Sequence, residues 1–409
     1  MRGSGYRRLA GSSLAAAWLA ASSVVAHGQI AVSANDGKVR LENGVVRVLK
    51  EGVDSITLID VGLNPPKAVA EINVPASVSG PPTSVAIAPN EAIALVTAAM
   101  KIDPSDPSKQ TPDDVVSVID IGRSGGFASS LKARVQGKQP PAGYEPKVLA
   151  TLRAGKGASG VAINKAGNLA LVANRSEGTV SVLEIKGKTV TVLGEKISLG
   201  NDKSGPSAVA FTPDGKTALV TRDGDHKISV LSVEGTTVTD TKREISAGLR
   251  PYGLDIARKG DIAIVANIGT GSGDADTVSL IDLVAKPLRV VNTVSVGQTP
   301  KGVKISPDGN YVAVSVMNGT NKARDNPFFS ETGKLVVLRR QGRELVRASE
   351  VNIGRWCQGI AWATNSRKIV VQCMVEEQLM AFSWNGQTLQ LVGTVKTTGG
   401  PAGIHTAEK

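Results

Sequence analysis

The 409-residue chain is poor in the side chains on which much enzyme chemistry rests. It has three histidines, His27, His226 and His405, and two cysteines, Cys357 and Cys373. Histidines so few and so far apart do not supply the ligand set of a catalytic zinc centre, so no metal and no other cofactor is expected. There is no Cys-x-x-Cys, which excludes a thiol-redox motif and covalent haem attachment. No Gly-x-Ser-x-Gly elbow leads from a strand into a helix, and no phosphate-cradling Gly loop is present. Aromatic residues make up only 3% of the chain. No Lys/Arg block is interleaved with them, so a nucleic-acid groove is not expected. Beyond the N-terminus no apolar run approaches the ~20 residues a membrane span needs.

What the N-terminus does contain is a leader pattern. Arg2, Arg7 and Arg8 precede an uncharged run, Leu9 to Ala26, with small residues at Val24, Ala26 and Gly28. This order fits a signal peptide over residues 1–28, cleaved after Ala26 or Gly28. A periplasmic or secreted protein is expected, with one domain over residues 29–409. The leader carries three positive charges and no negative one, so its removal lowers the formal charge from +11 to +8. A surface that basic attracts anions. We expect a monomer whose partner is a protein or a small anionic ligand.

The rest of the chain repeats itself. "GPSAVAFTPDGKTALVT", from Gly205, returns as "TPKGVKISPDGNYVAVSV" from Thr299 and as "GASGVAINKAGNLALVANRSEGTVSVLEI" from Gly157. Further copies begin at Gly80, Arg250 and Arg355, which makes six full units. Each reads as a Gly/Pro entry, an apolar strand, a tight turn that is often Pro-Asp-Gly, a second strand often ending Val-Ala-Asn, and two more strands. Period-two alternation of Val, Ile and Leu marks the strands, and Asp-Gly supplies the backbone angles of a hairpin turn. Two fragments remain. "GPAGIHTAEK", from Gly400, is a first strand alone; "NGVVRVLKEGVDSITLIDVG" and "KAVAEINV", from Asn43 and Lys67, read as second, third and fourth strands. Together they complete a seventh unit. Four antiparallel strands bury both faces only by stacking on neighbouring sheets, and a closed ring leaves none bare. The sequence therefore predicts an all-β, seven-bladed β-propeller of four-stranded antiparallel blades, the ring closed by a blade shared between the two termini.

These stretches resemble the YVTN-type β-propeller repeat of exported bacterial proteins, within the lactonase-like propeller superfamily. The resemblance covers about Val39 to Thr406. It implies lactonases, cycloisomerases, subunits of periplasmic dehydrogenases or proteins with no known activity, all on one scaffold.

Aligning the copies exposes two informative positions. Just after the Gly/Pro entry stand Thr83, Ser159, Ser207, Tyr252, Lys301, Gln358 and Ala402, which should ring the channel mouth. With Arg250, Arg355 and Trp356 beside them, the rim is cationic and suits a carboxylate. Arg250, Tyr252, Lys301, Arg355, Trp356 and Gln358 are accordingly the candidate ligand-binding residues. The resemblance implies His, Glu and Arg at the channel of an enzyme, whereas this ring holds no His and no Glu. Further along the first strand stand Ala86, Ala162, Ala210, Asp255, Lys304, Ala361 and His405. Asp255, Lys304 and His405 form a candidate polar cluster in the channel: Asp255 with Lys304 as an inter-blade ion pair, or the three as an acid/base set. "DGDHK" at Asp223–Lys227 and "GDAD" at Gly273–Asp276 have too few oxygens for a hard cation.

Insertions gather in the second-to-third connections, at Lys101, Ile268 and Met317, and should rise from one face. A longer one, Arg123 to Pro146, lies in a third-to-fourth connection on the opposite face. Cys357 and Cys373 are equidistant from Asn365, at the turn of one hairpin. Facing hairpin positions lie within disulfide reach, so a Cys357–Cys373 bridge is expected. With no catalytic set legible, the sequence favours a binding or scaffold protein for a protein partner or small anionic ligand; the alternative is a lactonase or cycloisomerase acting on a carboxylate-bearing lactone.

Overall fold

The computed structural model describes Met1 and residues 29–122 and 144–407. The leader and all but the last three residues of the Arg123–Pro146 insertion lie outside the described residues. Seven antiparallel blades form the fold. Blade 1 takes its inner strand, Gly400–Thr406, from the C-terminal side and its second to outer strands, Ile30–Asp36, Ser55–Asp60 and Lys67–Asn73, from the N-terminal side. Ala31 pairs with Thr406 and Val32 with His405, so ordinary strand pairing closes the ring. The inner strands of blades 2 to 7 are Val85–Ile87, Ala158–Ile163, Pro206–Phe211, Pro251–Ile256, Pro300–Ile305 and Cys357–Trp362.

Apolar side chains of consecutive blades fill the gaps between them. Blades 5 and 6, for example, share Ile264, Leu280, Val303, Val314 and Val336, nearly all of them fully buried. Seven such layers, one per gap, make up the core. The glycine of the "Gly-Val" entry has a steric cause. At Gly253 and Gly302 a Cβ would collide with the backbone oxygens of Lys301 and Gln358 on the next blade. Only glycine lets the inner strands converge this closely. The recurring Asn at the end of the second strand also has a role: Asn174 donates to Thr179 and Ser181, and Asn267 to Thr277 and Ser279, tying the second strand to the third.

The shared blade departs from the expectation in one respect. "NGVVRVLK" is not its second strand; Ile30–Asp36 is, with Asn35 bonded to Ser55 and Thr57 as Asn174 and Asn267 are to their partners. Val39–Glu42 and Val45–Val48 instead form a separate hairpin around Asn43-Gly44, both at positive φ. Two short β-favouring runs joined by Asn-Gly read alike whether they belong to a blade or to an insertion. The hairpin lies over the second-to-third face, where Val39 and Val48 pack with Met317, Trp356 and Met374. At its base the ammonium of Lys38 is held by Asp36 and Asp54 at 3.2 and 2.8 Å.

Cys357 and Cys373 are register partners and are joined in a disulfide across the inner hairpin of blade 7. The bridge closes a loop of sequence separation 16. Replacing both cysteines with serine is expected to cost roughly 3 kcal/mol, the loop-entropy value for such a span. The urea midpoint of the non-reduced protein against the double variant measures it, and equal midpoints would contradict the expectation.

Candidate functional site

The inner strands turn one bare backbone edge to the channel, and that edge needs hydrogen-bond partners. Here the lower polar residues act. The Asp255 carboxylate accepts from the backbone N–H of Ile305 at 2.7 Å and pairs with the Lys304 ammonium at 2.7 Å. His405 does the equivalent three gaps further on, between blades 1 and 2: its Nδ1 accepts from the N–H of Ile87 at 3.3 Å. Asp255 and Lys304 meet as an inter-blade pair, while His405 serves a different pair of blades.

The upper mouth has a different chemistry. Arg175, just beyond the second strand of blade 3, and Asp223, at the same place in blade 4, form a two-pronged ion pair, with Arg175 Nη2 donating to Asp223 Oδ2 at 2.8 Å. Ser207 donates to the same carboxylate at 2.7 Å, and Arg250 of blade 5 at 3.1 Å. Asp223 is almost fully buried. Burial pushes its pKa up, but the hydrogen bond and charge of Arg175 outweigh it, so the carboxyl lies below its usual range.

Tyr252 completes the group. Its ring has the Arg175 guanidinium at 5.6 Å on one side and the Lys301 ammonium at 4.4 Å on another, both attracted to its π face. Burial pushes its pKa up to about 12, against a small opposing pull from the nearby backbone amide of Gly80 on blade 2, three blades away. The side chain therefore spans the channel. Lys301 is the cation of this group with no carboxylate at ion-pair distance among the described residues. Burial, then the charges of Arg175 and Arg250, against the opposing pull of Asp223, bring its pKa down to about 8. Three cations face one carboxylate here, a surplus that suits an anion, and one of the three sheds its proton near neutral pH.

The structure brings together Arg250, Tyr252 and Lys301 among the sequence candidates and sends the others elsewhere. Arg355 turns to Glu376 on its own blade, at 3.1 Å. Trp356 is buried under the hairpin, its backbone N–H donating to Thr320. Gln358 is buried, and its amide has no hydrogen-bond partner among the described residues. "DGDHK" is dispersed among cations: Asp223 holds Arg175 and Arg250, Asp225 holds Arg222, and His226 Nδ1 accepts from the N–H of Arg250 at 3.3 Å. Two residues of the mouth were not singled out for it, Arg175 and Asp223. The signal lay at the second-strand position that aligns with the residue after Asn174: Asp36, Ala99, Arg175, Asp223, Ile268, Met317 and Met374. Arg175 and Asp223 are adjacent exceptions of opposite charge in a mainly apolar series.

The second-to-third insertions of blades 5 and 6 rise on this mouth's face and touch each other and the hairpin. Lys322 donates to Gly271 at 2.6 Å, Gln298 to Phe328 at 3.3 Å, and the N–H of Arg324 to Asn43 of the hairpin at 2.9 Å. Blade 2 contributes a ribbon, its second and third strands being extended to Ile93–Ile102 and Gln110–Asp120.

Residues 142–285 match the family model described as lactonase, 7-bladed beta-propeller. No curated protein matches the chain. Solved structures do. A Bacteroides uniformis protein provisionally assigned as a 6-phosphogluconolactonase is 15% identical, with 93% of this chain and 100% of that one covered and a TM-score of 0.64. The periplasmic gluconolactonase of Pseudomonas aeruginosa is 14% identical over 92% and 99% of the two chains, with a TM-score of 0.60. The hydrazine synthase of Kuenenia stuttgartiensis is 17% identical over 81% and 90%, with a TM-score of 0.56. At these identities the structural likeness is one of fold. The chain resembles the lactonase propellers in sequence over residues 142–285 and the seven-bladed propellers over most of its length.

Proposed function

We propose that this lactonase-type propeller is an exported lactone hydrolase whose substrate carries a carboxylate or phosphate, bound at the upper mouth. The observation that carries the reading is the Arg175–Asp223–Arg250 cluster with Lys301 beside it, a cationic surplus around an amine of pKa about 8. The guanidiniums of Arg175 and Arg250, oriented by Asp223, hold the substrate's anionic group. The neutral amine of Lys301 takes a proton from water as the water oxygen attacks the lactone carbonyl. The ring C–O bond then breaks, and the leaving alkoxide receives the proton from the Lys301 ammonium. One lactone and one water give one hydroxy acid, with the lysine restored. Export rests on the leader pattern and on the disulfide, a bond of oxidising compartments.

A pH-stat comparison of 6-phosphogluconolactone, muconolactone and uncharged glucono-δ-lactone tests this. The two anionic lactones are expected to be opened well above their spontaneous rates, with kcat/KM at least tenfold above the neutral one. No acceleration with any of the three would overturn the reading. The binding or scaffold role is supported by the joined insertions of blades 5 and 6, in which Phe328 is 46% exposed. It predicts a protein complex that is lost on shortening residues 319–331, with no lactone turnover.

A further inference from the structure

Below Tyr252 the channel continues as a cavity of about 160 Å³ that opens on the opposite face, among the first-to-second turns. Its walls are mostly apolar, with Val85, Ile87, Val161, Val209, Leu254 and Ile404 among them, and Asp255, Lys304 and His405 line it too. Neither Tyr252 nor Lys301 lines it. At its rim stand Lys165, on the turn of blade 3, and Arg258, on that of blade 5. Both are exposed, and no acid pairs with either among the described residues. The cations deeper in the wall differ, since Lys304 is tied to Asp255.

We propose that this lower channel is a second binding site, for a monocarboxylate with a compact apolar body of arylalkanoate size. Volume sets the body. A dry apolar cavity of ~150 Å³ accepts a benzene ring, and this one is comparable. The walls set its character, because Asp255, Lys304 and His405 are engaged with one another or with the backbone and the apolar remainder rewards the removal of apolar surface from water. The rim sets the head group. Two cations with no acid partner among the described residues, on the turns of blades 3 and 5 with the blade 4 turn between them, attract one carboxylate, and a ring seated in the shaft leaves that carboxylate at the opening. The upper mouth, by contrast, surrounds its ligand with charged and polar groups. The two sites lie on opposite sides of the Tyr252 ring and select different chemistries.

Titration calorimetry with 3-phenylpropanoate tests the site, with 3-phenylpropan-1-ol as the uncharged control. One molecule of the acid is expected to bind per chain, at least tenfold more tightly than the alcohol. The exposed double variant Lys165→Glu/Arg258→Glu should weaken the acid at least tenfold without changing the fold. Ala210→Leu, which adds bulk to the channel wall, should abolish binding, while Lys301→Met should leave it unchanged. No binding at 10-fold millimolar excess, equal affinity for acid and alcohol, or loss of binding in Lys301→Met would each overturn the proposal. Because Lys301→Met is also the variant expected to stop lactone turnover, the two sites fail separately.

Discussion

Lys301→Met is expected to lower lactone turnover by ~100-fold or more, the usual contribution of a positioned general base, and to raise the melting temperature at pH 7 in the same step. Both effects come from one misfit. Lys301 sits beside Arg175 and Arg250, and burial among them brings its pKa from 10.5 to about 8. That leaves about a tenth of the molecules with a neutral amine at pH 7, so the wild-type rate should climb nearly tenfold per unit below pH 8 and level off above it. The stability consequence has a definite sign. Between about pH 8 and 10.5 the unfolded chain holds a proton on this amine that the folded chain has lost, so stability rises with pH across that window. Below pH 8 the folded protein carries the full burden of the charge. Methionine keeps the stem and removes the charge, which should add roughly 2–4 °C to the melting temperature at pH 7. Scanning calorimetry at pH 7 and pH 10 checks this, and the advantage of the variant should shrink at the higher pH. A melting temperature that falls at pH 7, or a rate profile flat between pH 6 and 9, would count against the role given to Lys301. Stability gained with activity lost is the signature of a site strained for function.

The second large effect is expected at Asp223. This carboxylate is almost fully buried and receives hydrogen bonds from Arg175, Ser207 and Arg250. Removing one partner from a buried ion pair leaves the other charges uncompensated, at a cost of about 3–5 kcal/mol. Asp223→Ala is therefore expected to lose about that much in a urea titration, and turnover with it, because the two guanidiniums lose the group that orients them. The pair also sets an acid limit. Its folded pKa lies below the ordinary value, so the stability it contributes is present above the unfolded pKa and is lost as pH falls through the folded one. A loss under 1 kcal/mol in Asp223→Ala would show that the cluster is solvated and does not organise the mouth.

Much of this was legible in the amino-acid order, for a stated reason. The blade is a local unit, repeated, and alignment of its copies finds turns, strands and the split seventh blade without reference to distance. The same alignment singled out Tyr252 and Lys301, whose side chains the structure places together, because both stand at one repeat position where small residues are the rule. Contacts that depend on the curvature of the ring are another matter. Nothing in the spacing of Tyr252 and Gly80 says that one lies near the other across three blades. Arg355 stands one residue before the place of Arg250, which Trp356 takes in blade 7, and it pairs with Glu376; a repeat alignment does not reveal which acid an arginine takes. The hairpin at residues 39–48 was absorbed into a blade because a β-run carries no mark of the sheet it joins.

The reach of Tyr252 has a consequence for how the molecule comes apart. A propeller built from contacts between neighbours behaves as a closed one-dimensional array, in which one unit can loosen with little effect on distant ones. The side chain of Tyr252 adds a chord to that circle, its ring in blade 5 meeting the Arg175 guanidinium of blade 3 and its phenol lying near blade 2. A chord makes the two arcs it divides depend on each other: neither can swing open while the other holds the chord's end in place. Unfolding should therefore be more cooperative than the repeat architecture alone would give, and the array loses some of its one-dimensional character at the point where it binds.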